Sequence, residues 1–305
     1  MSMSRLDLAG IFPPIPTPFD KEGSLSDSAL KRNLEYLNGY ELSGTVVLGS
    51  NGEFVFLDPE EKIRAIETAR ELLPSGKLLI AGTGCESTRG TIRLTREAAS
   101  AGADAALVIN PHYYKNRLDR AALVRHYTSV AECSPVPIIL YNMPACTGLD
   151  LDASIVVELA GHENIIGMKD SSGNLTKMAQ ILEETKQNRG NFQMLAGSAG
   201  FLLPALSLGA VGGVAALANV APDLCIRLHR AFLRGELQLA SELQGRIVEL
   251  NSLVTRVGGV PALKAALDLL GLAGGAPRPP LLPADAPMRK RLQRALSELG
   301  LLDGR

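Results

Sequence analysis

Ile165-Ile166-Gly167-Met168-Lys169-Asp170-Ser171 is the stretch on which the fold turns. Four apolar residues with no polar alternation end abruptly in a lysine and an aspartate. A strand with one wet face alternates apolar and polar residues; a parallel strand covered on both faces reads as an unbroken apolar run. Seven other runs share this character, over residues 10–15, 45–48, 78–82, 105–109, 138–141, 192–196 and 211–217. Between them lie segments of helical pattern with recognisable punctuation. Asp58-Pro59-Glu60-Glu61 supplies an N-cap, a first-turn proline and an acid at the third position, ahead of Ile63, Ile66, Ala69 and Leu73. Leu30, Leu34 and Leu37 share one face of an earlier helix. Ala101-Gly102-Ala103-Asp104 and Leu208-Gly209-Ala210-Val211 read as helix ends turning into strands through a glycine.

Eight strand–helix units over roughly 215 residues predict an α/β fold, a (β/α)8 TIM barrel. Beyond residue 222 the strand signal stops. Helices are expected over 224–233, 236–255, 261–270 and near 288–299, with a Pro/Gly-rich connector at 271–283. The expected organisation is a catalytic barrel over 1–222 and a C-terminal helical appendix, 223–305, packed on it. A doubly wound sheet is the competing architecture. Its glycine fingerprint is incomplete here, because Gly82-Thr83-Gly84-Cys85-Glu86-Ser87 lacks the third glycine.

Composition narrows the function classes. The 305 residues carry 31 Lys+Arg against 32 Asp+Glu, a net charge of −1, and no Trp. A nucleic-acid binder needs a basic footprint, so that class is excluded. Residues 190–222 carry no charge, but Pro204, Pro222 and six glycines interrupt them, and a buried core fits better than a membrane span. Cys85, Cys133, Cys146 and Cys225 form no C-x-x-C pair, and the N-terminus shows no apolar signal core. A reducing, cytoplasmic setting is the expectation.

In a barrel of this kind the chemistry sits where strands end and the following loops begin. Those ends read Gly49-Ser50-Asn51-Gly52-Glu53, Asn110-Pro111-His112-Tyr113-Tyr114, Tyr141-Asn142-Met143-Pro144, Lys169-Asp170-Ser171 and Gly197-Ser198-Ala199-Gly200. An ordinary lysine is protonated at neutral pH and a poor nucleophile. Desolvation disfavours the ammonium and can free a Schiff-base amine. Lys169 is therefore either a nucleophile in the barrel mouth or a strand-end lysine paired with Asp170 and facing water. Tyr141 is either an amphipathic core residue or a proton relay beside that lysine. The turn around Ser50 and Asn51 can hold a carboxylate on its backbone N–H groups, or be an ordinary turn.

Other chemistries find less support. His112, His126, His162 and His229 show no metal-ligand spacing, so no metal is expected. Ala196-Gly197-Ser198-Ala199-Gly200 misses the nucleophile elbow by its first glycine. Gly197–Gly200 and Gly212-Gly213 leave a phosphate cradle open as a rival use of the barrel top.

Together, Gly49-Ser50-Asn51-Gly52-Glu53, Tyr141-Asn142-x-Pro144 and Gly167-Met168-Lys169-Asp170 resemble the pyruvate-dependent class I aldolases related to dihydrodipicolinate synthase and N-acetylneuraminate lyase. The resemblance runs from Thr17-Pro18-Phe19 to the 260s. It implies that Lys169 forms the Schiff base with a small-molecule 2-oxo acid and that Tyr141 relays protons. It also implies that Ser50 and Asn51 bind the pyruvyl carboxylate, and that Ser171 and Gly197 line the pocket. Tyr114 is implied to reach in from a neighbouring subunit of a homotetramer, and no cofactor is required. Dihydrodipicolinate synthases typically carry an arginine where this chain has Cys146, and a thiol makes no bidentate carboxylate contact. Stretches 49–54, 81–88, 147–151, 195–201 and 216–220 look most like 4-hydroxy-2-oxoglutarate aldolase. The expected reaction is cleavage of 4-hydroxy-2-oxoglutarate to pyruvate and glyoxylate. The alternatives are a 2-keto-3-deoxy sugar-acid aldolase, dihydrodipicolinate synthase, and a non-catalytic 2-oxo-acid sensor.

Overall fold

The computed structural model describes residues 6–186 and 192–302. Among them, β1 (Gly10–Phe12), β2 (Gly44–Val47), β3 (Leu78–Gly82), β4 (Ala105–Ile109), β5 (Ile138–Asn142), β6 (Ile165–Asp170), β7 (Gln193–Ala196) and β8 (Gly212–Val214) form one parallel sheet in which β2 to β8 pair consecutively along the chain. β8 returns to β1 in the register Gly10↔Gly212 to Phe12↔Val214. The ring closes between β1 and β2 just past the end of β1. There Ile15 N–H donates to Val46 O at 2.8 Å, and Val46 N–H to Pro13 O at 3.0 Å. The expected (β/α)8 TIM barrel is the observed fold.

Helices alternate with the strands: α1 (Asp27–Asn38), α2 (Pro59–Leu72), α3 (Thr88–Ser100), α4 (Arg120–Cys133), α5 (Pro144–Thr147), α6 (Ala153–Leu159), α7 (Leu175–Lys186), α8 (Leu202–Leu208) and α9 (Pro222–Leu233). After them come α10 (Leu237–Ser252), a π-helical turn at Leu253–Val257, α11 (Gly259–Leu269) and α12 (Ala286–Glu298). The Asp58–Glu61 capping box forms as the sequence predicts, with Asp58 N–H donating to Glu61 Oε2 at 3.0 Å. Gly209 ends α8 at φ +112°, a conformation that favours glycine.

The unalternated runs are explained by two apolar layers. Phe12, Val46, Ile80, Leu107, Ile139, Tyr141, Leu195 and Val214 fill the barrel interior. Ile11, Val47, Leu79, Ala81, Ala106, Val108, Leu140 and Met194 face the helices. Each strand thus buries both faces, as an all-parallel sheet must. Leu263, Leu292 and Leu296 of the last two helices join the helix-side layer, so the C-terminal helices pack on the same core. No described helix is long and apolar enough to cross a membrane.

The C-terminal connector is pinned to the barrel by charge. Arg278 forms two 2.7 Å bonds to the Glu61 carboxylate and donates to Phe56 O at 2.6 Å. This pairing holds the Glu61 pKa at about 2, below its ordinary 4.5. A depressed carboxylate adds stability that is fully present above the ordinary pKa and lost as pH falls through the folded one. Glu61→Gln should therefore lower the urea midpoint at pH 7. The gap to the unsubstituted protein should close as the pH is taken from 4.5 toward 2; a gap that stays constant would contradict the pairing.

Candidate active site

Strand β6 carries an irregularity that aims its last residues. Ile138 pairs with Ile165, but Ile139 pairs with Gly167, which leaves Ile166 as an extra residue. Such a bulge shifts which face the following side chains occupy. Met168 consequently faces the helices, while Lys169, paired with Tyr141, turns to the interior side. Lys169 is 3% exposed and its Nζ lies 3.9 Å from the centroid of the Tyr141 ring. A cation over a tyrosine face is attracted by the ring quadrupole.

The alternative in which Lys169 pairs with Asp170 and faces water is not what forms. Asp170 is fully buried and turns to Asn142 Nδ2 at 2.9 Å, to the Ser172 N–H at 2.8 Å and to Lys177 Nζ at 3.6 Å. Lys177 also pairs with Asp150, and Asn142 Nδ2 donates to that carboxylate at 2.7 Å. Asn142 Oδ1 accepts from the Leu151 N–H at 3.0 Å. This network ties the ends of β5 and β6 to the segment that follows α5, and the Lys169 amine lies instead over the Tyr141 ring.

Tyr141 is 4% exposed, and its hydroxyl lies 3.1 Å from Ser50 Oγ. Ser50 and Asn51 begin a 3-10 turn, Ser50–Gly52, directly after β2. That turn is bracketed by two non-glycine residues in the left-handed region, Leu48 at φ +57° and Glu53 at φ +53°. Each costs on the order of 1–3 kcal/mol and persists only where its surroundings enforce it. Thr17 Oγ1 donates to Gly52 O at 2.6 Å. The Glu53 side chain, 1% exposed, pairs with Lys264 Nζ at 2.5 Å and accepts from the Arg278 N–H at 2.8 Å.

The remaining expected residues divide. Ser171 and Gly197 stand together: a Cβ on Gly197 would lie 2.0 Å from Ser171 Oγ and 2.8 Å from Asp170 O. Ser171 Oγ is buried without a hydrogen-bond partner. Cys146, on α5, is an exposed residue with a free thiol. Burial of the sulfur pushes its pKa up, against a hydrogen bond to Ser50 and the nearby charge of Lys169, which pull it down. Tyr114 is not brought to this cluster within one chain. It is 72% exposed and packs edge-on against Tyr113, ring centroids 5.0 Å apart. Glu86 holds that loop by accepting from the His112 and Tyr113 N–H groups at 3.0 and 2.8 Å.

The chain that carries this buried lysine and tyrosine on adjacent strands has relatives among known proteins. The dihydrodipicolinate synthetase family model matches residues 7–299. The chain belongs to that family. Members of the dihydrodipicolinate synthetase family are pyruvate-dependent lyases and synthases of the class I aldolase type, and this chain is an enzyme of that type. A 4-hydroxy-tetrahydrodipicolinate synthase of Methanothrix thermoacetophila is 40% identical over 296 residues, covering 97% of this chain and 98% of the relative. One of Methanococcoides burtonii is 38% identical over 294 residues, covering 96% and 99%. The solved synthase of Methylacidiphilum fumariolicum superposes with a TM-score of 0.91 at 32% identity, over 96% of each chain. A prophage protein of the family from E. coli, solved in complex with pyruvate, gives 0.90 at 31% identity, over 96% of this chain and 99% of its own. The first three of these bear the synthase name, and the fourth is described as a member of the synthase family. The expectation that 4-hydroxy-2-oxoglutarate aldolase is the nearest member finds no support in them.

Sequence reasoning missed the Asn142–Asp150–Asp170–Lys177 network and the Glu53–Lys264 pair. Lys264 did leave a trace, as a lone charge within the apolar helix segment Gly259-Val260-Pro261-Ala262-Leu263-Lys264-Ala265-Ala266-Leu267. A charge on such a face is unusual unless it is paired.

Proposed function

We propose that Lys169 forms a Schiff base with the C2 carbonyl of a 2-oxo acid and that this chain makes or breaks the C3–C4 bond to an aldehyde. The observation that carries this is the buried Lys169 amine 3.9 Å over the Tyr141 ring, with the phenol bonded to Ser50. Ser50 and Asn51 hold the pyruvyl carboxylate. Gly197 and the unpartnered Ser171 hydroxyl line the pocket.

In the cleavage direction Lys169 Nζ attacks C2, water leaves and an iminium forms. Tyr141, or a water it orients, takes the C4 hydroxyl proton as the C3–C4 electron pair moves into the iminium. An enamine and an aldehyde result. Protonation at C3 and addition of water then release pyruvate and free Lys169. Condensation runs these steps in reverse: pyruvate iminium loses a C3 proton, the enamine attacks the aldehyde, and the alkoxide takes a proton back through Tyr141. Tyr114, exposed on its loop, completes the relay from a second copy in a homotetramer.

Two readings of the aldehyde partner remain, each with its own support. The names of the relatives favour condensation of pyruvate with aspartate semialdehyde. Cys146 favours cleavage of a 2-keto-3-deoxy sugar acid, whose aldehyde product carries no carboxylate, because its thiol offers no clamp for one; 4-hydroxy-2-oxoglutarate brings a second carboxylate, as aspartate semialdehyde does. Pyruvate release from these acids, measured beside condensation with aspartate semialdehyde, separates the two. If the thiol decides, Cys146→Arg should raise condensation about 10–100-fold, the worth of one charged hydrogen-bonded contact of about 1.5–3 kcal/mol. Efficient condensation by the unsubstituted enzyme would establish the synthase reading. Turnover in neither assay despite pyruvate binding would leave only the 2-oxo-acid sensor.

A further inference from the structure

The turn that carries Ser50 and Asn51 ends on Glu53, a buried carboxylate in a left-handed backbone conformation. Local backbone bonds flank Glu53, whose N–H donates to Ser50 O at 3.2 Å and whose carbonyl accepts from the Phe56 N–H at 2.8 Å, but they do not reach its carboxylate. What holds its side chain comes from more than 200 residues away in sequence: the Lys264 ammonium of α11 at 2.5 Å and the Arg278 backbone N–H at 2.8 Å. Lys264 is itself completely buried, donates to Ala276 O at 3.1 Å and sits 4.4 Å over the Phe19 ring. The Arg278 guanidinium stacks on Phe19 at 4.2 Å and grips Glu61 of α2, the helix that follows the turn. Asn33 of α1 fastens the same segment between Lys264 and Arg278, exchanging bonds of 2.7 and 2.9 Å with the Ala273 backbone. Segment 264–278 is therefore anchored on both sides of the turn.

We propose that residues 264–278 form a strap that positions the carboxylate-binding turn, with Glu53 and Lys264 as positioning residues acting through Ser50 and Asn51. The inference rests on the reading of that turn as the seat of the pyruvyl carboxylate. The strap does not touch substrate. It fixes the end of the turn where the backbone would otherwise relax toward the right-handed region. An effect on the turn is reciprocal, so ligand seated on the turn must also steady the strap.

Two measurements test this. In the unsubstituted protein, saturating pyruvate should slow hydrogen exchange in a peptide covering 276–278 severalfold, since the Arg278 amide proton is held by Glu53. Unchanged exchange there overturns the strap. In Glu53→Gln, which keeps the side-chain shape but not the charge, borohydride trapping of pyruvate should need about tenfold more pyruvate for half-saturation. Trapping of acetone, which has no carboxylate, should be unaltered. Equal impairment with both ketones, or none with pyruvate, overturns the proposal. The exchange measurement alone decides the matter if the variant does not fold. Absence of any pyruvate adduct in the unsubstituted protein would instead remove the Schiff-base reading on which the inference stands.

Discussion

Lys169→Ala is expected to abolish the borohydride-trapped pyruvate adduct and to reduce turnover by at least about 10³-fold, roughly 4 kcal/mol of transition-state stabilisation. In the proposed mechanism the amine is the one group that turns the 2-oxo carbonyl into an electron sink, and no other described lysine lies over the Tyr141 ring. The fold should survive. Removing a buried amine removes a group that is costly to keep out of water, while Asp170 keeps its bonds to Asn142, Ser172 and Lys177. Mass spectrometry after reduction checks the adduct, and the thermal midpoint checks the fold. Full trapping in the alanine variant would place the Schiff base on another lysine.

Tyr141→Phe should separate binding from chemistry. The substitution keeps the ring beneath the Lys169 amine and removes only the hydroxyl bonded to Ser50. Loss of a positioned acid–base group typically costs 10²–10⁴-fold, about 3–5 kcal/mol. Trapping of pyruvate at long reaction times should persist while turnover falls by that factor. A phenylalanine variant with near-normal turnover would reduce Tyr141 to a packing residue.

Much of this was legible in the sequence, for identifiable reasons. Parallel strands buried on both faces leave unbroken apolar runs, and the runs at 78–82 and 105–109 match β3 and β4. Run ends were less faithful. The run at 211–217 shrinks to Gly212–Val214, because the chain then enters a 3-10 turn at Ala216–Asn219 that is just as buried and apolar. The run at 165–168 extends through Lys169 and Asp170, since a charged residue stays in the ladder when its neighbours satisfy it. Period-two counting from the inward Ile166 would have put Lys169 on the helix side. The bulge at Ile166 corrects the parity, and Gly167 was its only trace in the sequence. Lys264 was illegible in role because its carboxylate partner Glu53 lies far off in the chain, and Lys177 because the turn between β6 and α7 folds it back onto Asp170.

The close approach at Gly197 bears on how this barrel can diversify. Any side chain there would strike the Asp170 carbonyl and the Ser171 backbone, neither of which can rotate away. The end of β7 is thus closed to experiment by mutation. Cys146 sits on the other wall, on an exposed single turn of helix capped by Gly148 at φ +62°. On the proposed mechanism, new aldehydes would be recruited through that turn, so enzymes built on this plan would differ in the aldehyde they accept before they differ in how they hold pyruvate.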